Sequence, residues 1–189
     1  TPLAYGLDMS PCLDDSDNEI YGAECATISI PAKHDTSESN DSLDVYVARL
    51  PSIRDTDKPP IIFIAGGPGQ ASTDLVPQFR HVFSSLLIDH DFLFVDQRGT
   101  GKSHPLNCDE DLLAMSQFSA SERVQAMLNT HKKCREGYTK DLTLFSTPLA
   151  VKDLEFVKNA LGYSKVALWG GSYGTRVALE YMRQFPDSL

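Results

Sequence analysis

The sequence predicts an α/β fold in which an antiparallel hairpin comes first and a parallel sheet with covering helices follows. Residues 25–31 and 42–50 alternate apolar and polar side chains at period two, which is typical of half-buried antiparallel strands. Residues 61–65 and 92–95 are continuous apolar runs, which is typical of strands buried on both faces of a parallel sheet. A further apolar run, residues 166–169, leads into a glycine-rich turn and a helix start. We therefore expect the order hairpin, then β-α-β-α-β.

The connections between these strands carry helical patterns. Residues 73–87 can form a helix with one apolar stripe, and residues 109–135 are mostly helical in character. The stripe of the first consists of Val76, Phe79, Val82, Phe83 and Leu86. The apolar positions of the second are Leu112, Leu113, Met115, Val124 and Met127.

Residues 147–162 give the clearest helical signal in the chain. Thr147 is the expected N-cap, Pro148 occupies the first helical position and Gly162 marks the C-terminal end. The strand that ends at the glycine-rich turn follows directly.

Composition and charge narrow the classes of function. The chain has 189 residues, and 17 basic against 26 acidic residues give 17 − 26 = −9. Because no basic patch interrupts this acidity, we expect no nucleic-acid partner. No apolar run approaches the length of a membrane span. Residues 1–22 form a polar, acidic N-terminal arm, in which we expect residues 14–19 to lack regular structure.

Four cysteines, Cys12, Cys25, Cys108 and Cys134, admit three disulfide connectivities, of which pairing between sequence neighbours is the simplest. No C-x-x-C spacing or histidine cluster accompanies them, so we predict no metal site. The alternative is four buried thiols in a reducing compartment. If the pairs are bridged, each loop adds about 3 kcal/mol of stability, and we expect a periplasmic or secreted protein.

The turn after residues 166–169 has the G-x-S-x-G spacing of a nucleophile elbow. A serine on a tight strand-to-helix turn stands clear of the sheet, and residues two positions away on either side must lack a Cβ so that the chains can pass. The following N–H groups open a helix whose positive end favours a developing oxyanion. We predict Ser172 as a nucleophile, with a purely structural serine as the alternative. The turn consists of Gly170, Gly171, Ser172, Tyr173 and Gly174.

A second glycine-rich loop follows the strand at residues 61–65, where an α/β sheet places its ligands. Small residues let a backbone turn its N–H groups toward a ligand at close range. We predict that the amides of Gly67 and Tyr173 donate to an oxyanion, the alternatives being a phosphate cradle or an ordinary turn. The supporting residues of this loop are Gly66, Pro68 and Gly69.

Residues 96–103 form a third glycine-containing loop after the strand at residues 92–95. Asp96 and Arg98 can pair with each other or hydrogen-bond loop backbones, while Gly99 and Gly101 supply positive φ angles. We predict a supporting role for Asp96 and Arg98, the alternative being catalysis by Asp96.

Together, Gly66-Gly-Pro-Gly69, Asp96-Gln-Arg-Gly-Thr-Gly101 and Gly170-Gly-Ser-Tyr-Gly174 resemble the prolyl iminopeptidase and tripeptidyl aminopeptidase family of α/β-hydrolases. The resemblance covers roughly residues 20–185. It implies a serine exopeptidase that acts on peptides with a free N-terminus and needs no cofactor. Exported members of that family also carry a cysteine pair near the N-terminus and another after the third loop. One difference is Ala65, where many prolyl iminopeptidases have histidine; it favours the tripeptidyl branch.

A serine nucleophile needs a general base, which in this fold follows the serine as an acid and then a histidine. Downstream of Ser172 the acids are Glu180 and Asp187. Of the upstream histidines, His104 is the candidate for the active-site face, but we expect it to be a surface or loop histidine. We therefore expect residues 23–189 to be the N-terminal part of a catalytic domain whose cap and C-terminal part are absent, with that remainder as a partner. The alternatives are an esterase-type hydrolase and a catalytically inert fragment or binding module. The five histidines are His34, His81, His90, His104 and His131.

Overall fold

The computed structural model describes residues 7–14, 16–34, 41–108, 117–139 and 141–189. These residues divide into two compact units. The sheet unit comprises the described residues up to 105 together with residues 145–189, and the helical unit comprises the described residues between 106 and 144.

The sheet unit contains one mixed sheet of six strands in the order β1-β2-β3-β5-β4-β6. Strands β1, β2, β3 and β5 pair antiparallel in succession, whereas β4 runs parallel to β5 and β6. The predicted hairpin and parallel strands are therefore confirmed. The strands are β1 (Ser10–Leu13), β2 (Glu19–Pro31), β3 (Ser42–Leu50), β4 (Ile61–Ile64), β5 (Phe92–Val95) and β6 (Ala167–Gly170).

Strand β1 was not expected from the acidic arm. It pairs with β2 so that Ser10 lies opposite Cys25, and the Cys12–Cys25 disulfide links the two strands. Between them the chain turns where Asp14 Oδ1 accepts a hydrogen bond from the Asn18 amide at 2.9 Å. The strand pattern was too short to recognise, because pairing with β2 rather than local alternation holds it in place.

Every residue of β4 and β5 is buried, as their apolar runs predict. Phe63 of β4 and Phe94 of β5 contact Phe79 of helix α1 (Val76–Val82), with ring centroids 4.1 and 5.2 Å apart from it. Trp169 of β6 stacks on Phe63 at 4.8 Å. Because side chains alternate along a strand, the intervening residues Ile62 and Ile64 point to the opposite face.

Helix α1 is shorter than the predicted helix over residues 73–87. A 3₁₀ turn at Thr73–Leu75 precedes it, and it ends at Val82. Val76 and Phe79 are buried as expected, but Val82 and Leu86 are 70% and 41% exposed and Phe83 is half-buried. The expected stripe is wrong at Val82, the last helical residue, which lies on the solvent side, and at Leu86, because the chain leaves helical geometry after Val82. Leu87, not Leu86, then returns to the core.

Helix α3 (Thr147–Ala160) and helix α4 (Tyr173–Gln184) lie side by side in the sheet unit. The predicted helix over 147–162 is confirmed, and Gly162 has φ +81° just beyond its end. Its N-cap is Ser146, so the prediction of Thr147 was wrong by one residue. The Thr147 hydroxyl instead bonds the Tyr173 hydroxyl at 2.7 Å.

Glu155 of α3 connects the two helices in their second half. It accepts a hydrogen bond from the Tyr181 hydroxyl at 2.6 Å, and it forms an ion pair with Lys158 at 2.7 Å. Burial acts to raise the pKa of the Glu155 carboxyl, but the bonds from Lys158 and Tyr181 outweigh burial and the pKa lies below its ordinary value of 4.5.

The helical unit is built on helix α2 (Ala120–Gly137), which starts with a capping box between Ser119 and Glu122. The Cys108–Cys134 disulfide lies in this unit, so both neighbour pairings are confirmed. None of the described residues of α2 is buried: Val124 and Met127 are exposed, contrary to the expected apolar positions. Most of the helix is polar, and the described part of the unit offers no element that covers them.

Three of the apolar positions expected in this segment, Leu112, Leu113 and Met115, lie outside the described residues. Among the described helices, none combines the length and apolarity that crossing a membrane requires.

Candidate active site

Ser172 stands on the turn that joins β6 to α4. Its φ and ψ angles are +51° and −120°, a conformation that non-glycine residues rarely adopt, and its side chain is exposed. Backbone strain of this kind persists only where the surrounding structure enforces it. Here the Gly174 amide donates to Gly171 O at 2.7 Å, and the Thr175 amide and hydroxyl both donate to Ser172 O.

The glycines on either side of Ser172 are required by close backbone packing. A Cβ on Gly170 would lie 2.6 Å from Gly174 O, and a Cβ on Gly174 would fall on the carbonyl oxygen of Ile64 in β4. Gly171 has no such requirement, because its Cβ would meet only ring atoms of Trp169 at 3.5 and 3.8 Å. The two positions of the G-x-S-x-G pattern that specify glycine are thus the two that the packing demands.

The loop after β4 lies directly beside Ser172. Ile64 of β4 is opposite Gly170 of β6, so the two strands end together and their loops meet at one edge of the sheet. A Cβ on Gly66 would lie 3.1 Å from Ser172 Cβ. Gly67 has φ +103°, and a Cβ there would lie 2.7 Å from Gly69 N.

The rest of this loop is equally compact. The Gly67–Pro68 peptide bond is cis, and Gly69 has φ +106°. The hydroxyl of buried Ser72 accepts a hydrogen bond from the Ala65 amide at 3.3 Å. The loop therefore presents its backbone, rather than bulky side chains, to the space next to Ser172.

Tyr173 is the first residue of α4, so its amide has no acceptor within the helix. That amide follows Ser172 directly, at the positive end of the helix. The two expected donors thus lie in the segments next to the serine: Gly67 in the loop after β4, and Tyr173 at the start of α4.

Asp96 hydrogen-bonds two loop segments, and Ser172 is not among its partners. It is fully buried, and its carboxylate accepts hydrogen bonds from the Thr73 amide and hydroxyl and from the Lys102 amide, at 2.9–3.1 Å. Burial raises the pKa of the Asp96 carboxyl, although the hydrogen bonds from Thr73 and Lys102 act in the opposite direction. Asp96 thereby fastens the start of the α1 segment to the loop after β5.

Arg98 does not pair with Asp96. Its guanidinium makes a bidentate ion pair with Asp153 of α3, with both N···O distances 2.6 Å, and also donates to Ala32 O at 3.0 Å. His34 Nε2 lies 2.7 Å from Asp153 Oδ1. The Arg98 and Asp153 side chains are 1% and 2% exposed.

Sequence reasoning missed Asp153 and His34. The only available signal was that an aspartate sits among apolar positions of a helix that was expected to pack on the sheet. A buried charge in such a place needs a partner.

The described histidines of the sheet unit do not hydrogen-bond Ser172. His104, with φ +53°, accepts a hydrogen bond from the Asp44 amide of β3 at 3.1 Å, and His90 contacts Pro59 O at 2.8 Å. Strand β3 is three strands away from β6, which corresponds to about 14 Å. His104 therefore belongs to the support of β3, in agreement with the expectation of a loop histidine.

The remaining candidate groups of the sheet unit have other surroundings. His81 is exposed on α1, whereas His131 belongs to the helical unit. Glu180 is held by Arg183 and Gln184, and the hydrogen bonds from these residues lower its pKa to about 2. Among the described residues, no cluster of three or more possible metal ligands occurs. The arrangement can supply a nucleophile and backbone donors, and the described part of the sheet unit places no general base beside them.

Comparisons with known proteins agree with the fold and the loops described above. The family of the alpha/beta hydrolase fold matches residues 59–189. A proline iminopeptidase from Neisseria gonorrhoeae is 31% identical over 133 residues, which cover 70% of this chain and 31% of that protein. A tripeptidyl aminopeptidase from Streptomyces lividans is 26% identical over 199 residues, which cover 97% of this chain and 37% of that protein.

The fold is also found among solved structures. That of an alpha/beta hydrolase from Novosphingobium aromaticivorans DSM 12444 aligns with a TM-score of 0.55 and 17% identity, covering 89% of this chain and 42% of that one. The chain spans less than half the length of these relatives. The resemblance drawn from the three loops is confirmed, and the chain belongs to the alpha/beta hydrolase fold family.

Proposed function

We propose that this chain carries the nucleophile of a serine hydrolase and that Ser172 forms an acyl-enzyme with its substrate. The observation that carries the proposal is the backbone of Ser172, a non-glycine residue at φ +51° on an exposed strand-to-helix turn. Such strain is costly and clusters at active sites. A serine with a purely structural role does not need it.

In this mechanism Ser172 Oγ attacks the carbonyl carbon of the substrate, and the carbonyl oxygen becomes an oxyanion. The amides of Gly67 and Tyr173 donate hydrogen bonds to that oxygen, with no reorganisation at the moment of reaction. The carbon–nitrogen bond then breaks as the leaving amine takes up the proton that the serine gave to the base, and water releases the acyl group from Ser172 as a carboxylic acid. A base outside the described residues of the sheet unit removes the serine proton; we propose that it belongs to a C-terminal remainder of the same protein.

The substrate that we propose is a peptide with a free N-terminus, from which the enzyme releases N-terminal residues. The support is the pair of relatives named proline iminopeptidase and tripeptidyl aminopeptidase. We further propose that the protein is periplasmic or secreted, because both disulfides, Cys12–Cys25 and Cys108–Cys134, persist only in an oxidising compartment. The second candidate is an ester substrate, since the same elbow serves many acyl transfers.

The test is labelling with a fluorophosphonate, followed by intact-mass and peptide mass spectrometry under native and denaturing conditions. We expect one adduct on Ser172, no adduct in Ser172→Ala, and a second polypeptide that co-purifies with the labelled form. Hydrolysis of aminoacyl- or tripeptidyl-naphthylamides in preference to simple acyl esters supports the peptidase. Preference for the esters supports the second candidate. The absence of any adduct while the second polypeptide is present contradicts both and favours an inert module.

A further inference from the structure

We propose that the hydroxyl of Tyr173 is a positioning group: through its hydrogen bond to Thr147 it holds the Tyr173 backbone amide in the orientation that an oxyanion donor needs. The proposal rests on the function proposed for Ser172. It assigns to this side chain a role separate from that of its own amide.

The contact joins the first residues of two helices. Tyr173 begins α4 and Thr147 begins α3, and their hydroxyl oxygens are 2.7 Å apart in a partly buried setting. Neither hydroxyl is used to cap its helix, since the N-cap of α3 is Ser146, which makes no side-chain capping bond. The bond therefore ties the start of α4, one residue after the serine, to a neighbouring helix.

Helix α3, which carries Thr147, is itself fixed by a buried ion pair. Asp153 on its buried side is held by the bidentate pair with Arg98, which belongs to the loop after β5. Asp96 in the same loop binds Thr73, just after the loop that carries Gly67. Asp96 and Arg98, two residues apart in the loop after β5, thus connect that loop to Thr73 on one side and to α3 on the other.

The Thr147–Tyr173 hydrogen bond fixes the distance between the two oxyanion donors, the amides of Gly67 and Tyr173. Ser172 is strained, and strained backbone relaxes where its constraints are removed. Loss of the Thr147 bond frees the first turn of α4 to rotate, which turns the Tyr173 amide away from the position of the oxyanion. Because one neutral hydrogen bond is removed, we expect reactivity to fall by about two- to tenfold rather than to vanish.

The experiment measures the second-order rate constant of Ser172 phosphonylation by a fluorophosphonate, using the purified protein with any polypeptide that accompanies it. Tyr173→Phe and Thr147→Val should each react about two- to tenfold more slowly, and the double variant should be no slower than the slower single one. Thr147→Ser keeps a hydroxyl and should recover the rate. If Tyr173→Phe reacts at the wild-type rate, or if the two effects multiply, the proposal is wrong.

Tyr181→Phe is the matched control. It also removes a tyrosine hydroxyl of α4 that bonds α3, here to Glu155 at 2.6 Å, but eight residues away from Tyr173. We expect lower stability and an unchanged rate constant. A rate loss equal to that of Tyr173→Phe would show that any weakening of the helix pair has the same effect, which overturns a specific role for Tyr173.

A spectroscopic measurement separates this proposal from the proposed function. The backbone NMR resonances of residues 172–174 should shift in Thr147→Val and should stay in place in Thr147→Ser and Tyr181→Phe. If the wild-type protein reacts with no fluorophosphonate, the proposed function fails, while the spectra still decide the positioning contact. Unchanged resonances in Thr147→Val overturn it.

Discussion

The substitution Gly174→Ala tests the packing that forms the serine turn. A Cβ at this position would fall on the Ile64 carbonyl oxygen, and it would lie 2.9 Å from Ala65 O and 3.0 Å from Ile64 C. All three are backbone atoms at the end of the buried strand β4, so no side-chain rotation relieves the overlap. Helix α4 must move away from the sheet and carry the Tyr173 amide with it.

The magnitude follows from two opposing effects. Overpacking costs up to about 3 kcal/mol, while replacing glycine by alanine within a helix contributes about 1 kcal/mol in the other direction. We therefore expect Gly174→Ala to lower the free energy of unfolding by about 2 kcal/mol. That corresponds to a decrease in Tm of about 4–8 °C for a chain of this length, and to a urea midpoint lower by about 1 M.

The assay is urea unfolding followed by far-UV circular dichroism, with Gly171→Ala as the matched control three residues away. The Cβ of that variant meets only ring atoms of Trp169 at ordinary van der Waals distances. We expect its stability to be unchanged or to rise by up to about 1 kcal/mol through the unfolded state. Wild-type stability in Gly174→Ala, or equal losses in both variants, would refute the reasoning. Labelling of Ser172 should weaken only in Gly174→Ala.

Three other changes test the support of the site. Asp153→Ala removes the buried carboxylate that forms the bidentate pair with the Arg98 guanidinium, so we expect the free energy of unfolding to fall by about 3–5 kcal/mol in urea titrations. Glu155→Gln removes a carboxyl whose pKa is lowered from 4.5 in the folded state. Its contribution is present above about pH 4.5 and is lost as the pH falls through the lowered pKa, so Tm should depend less on pH between about 5 and 3 in the variant. Replacing both Cys12 and Cys25 by serine opens a loop with a sequence separation of 13 residues and should cost about 3 kcal/mol, measured by calorimetry.

Each of these expectations has an outcome that contradicts it. A loss below about 1 kcal/mol in Asp153→Ala would mean that the pair is not desolvated. An unaltered pH dependence in Glu155→Gln would mean that this carboxyl has the same pKa in both states. For the disulfide, wild-type protein treated with a reductant is the control, and a Tm that neither reduction nor substitution changes would exclude a stabilising crosslink.

Local patterns predicted the elements that local physics controls. Period-two alternation identified β3 and the second half of β2, continuous apolar runs identified β4 and β5, and glycine with proline marked the bounds of α3 to within two residues. The spacing of Gly170, Ser172 and Gly174 singled out the serine, because a turn this tight has few sequence solutions. Where the local signal was weak, at the four-residue strand β1 and at the end of α1, the predictions missed or overran.

The sequence by itself determined the fold class, the strand types and the candidate nucleophile, because each depends on periodicity or on glycine within a few residues. Only the tertiary structure decided which distant groups meet. Arg98 pairs with Asp153, 55 residues away, and His104 binds the Asp44 amide, because the strand order places those segments together. The same order brings the Gly67 loop against Ser172, since β4 and β6 are neighbours in the sheet although β5 lies between them in the chain. Such pairings follow from sheet order, which no local pattern in the chain encodes.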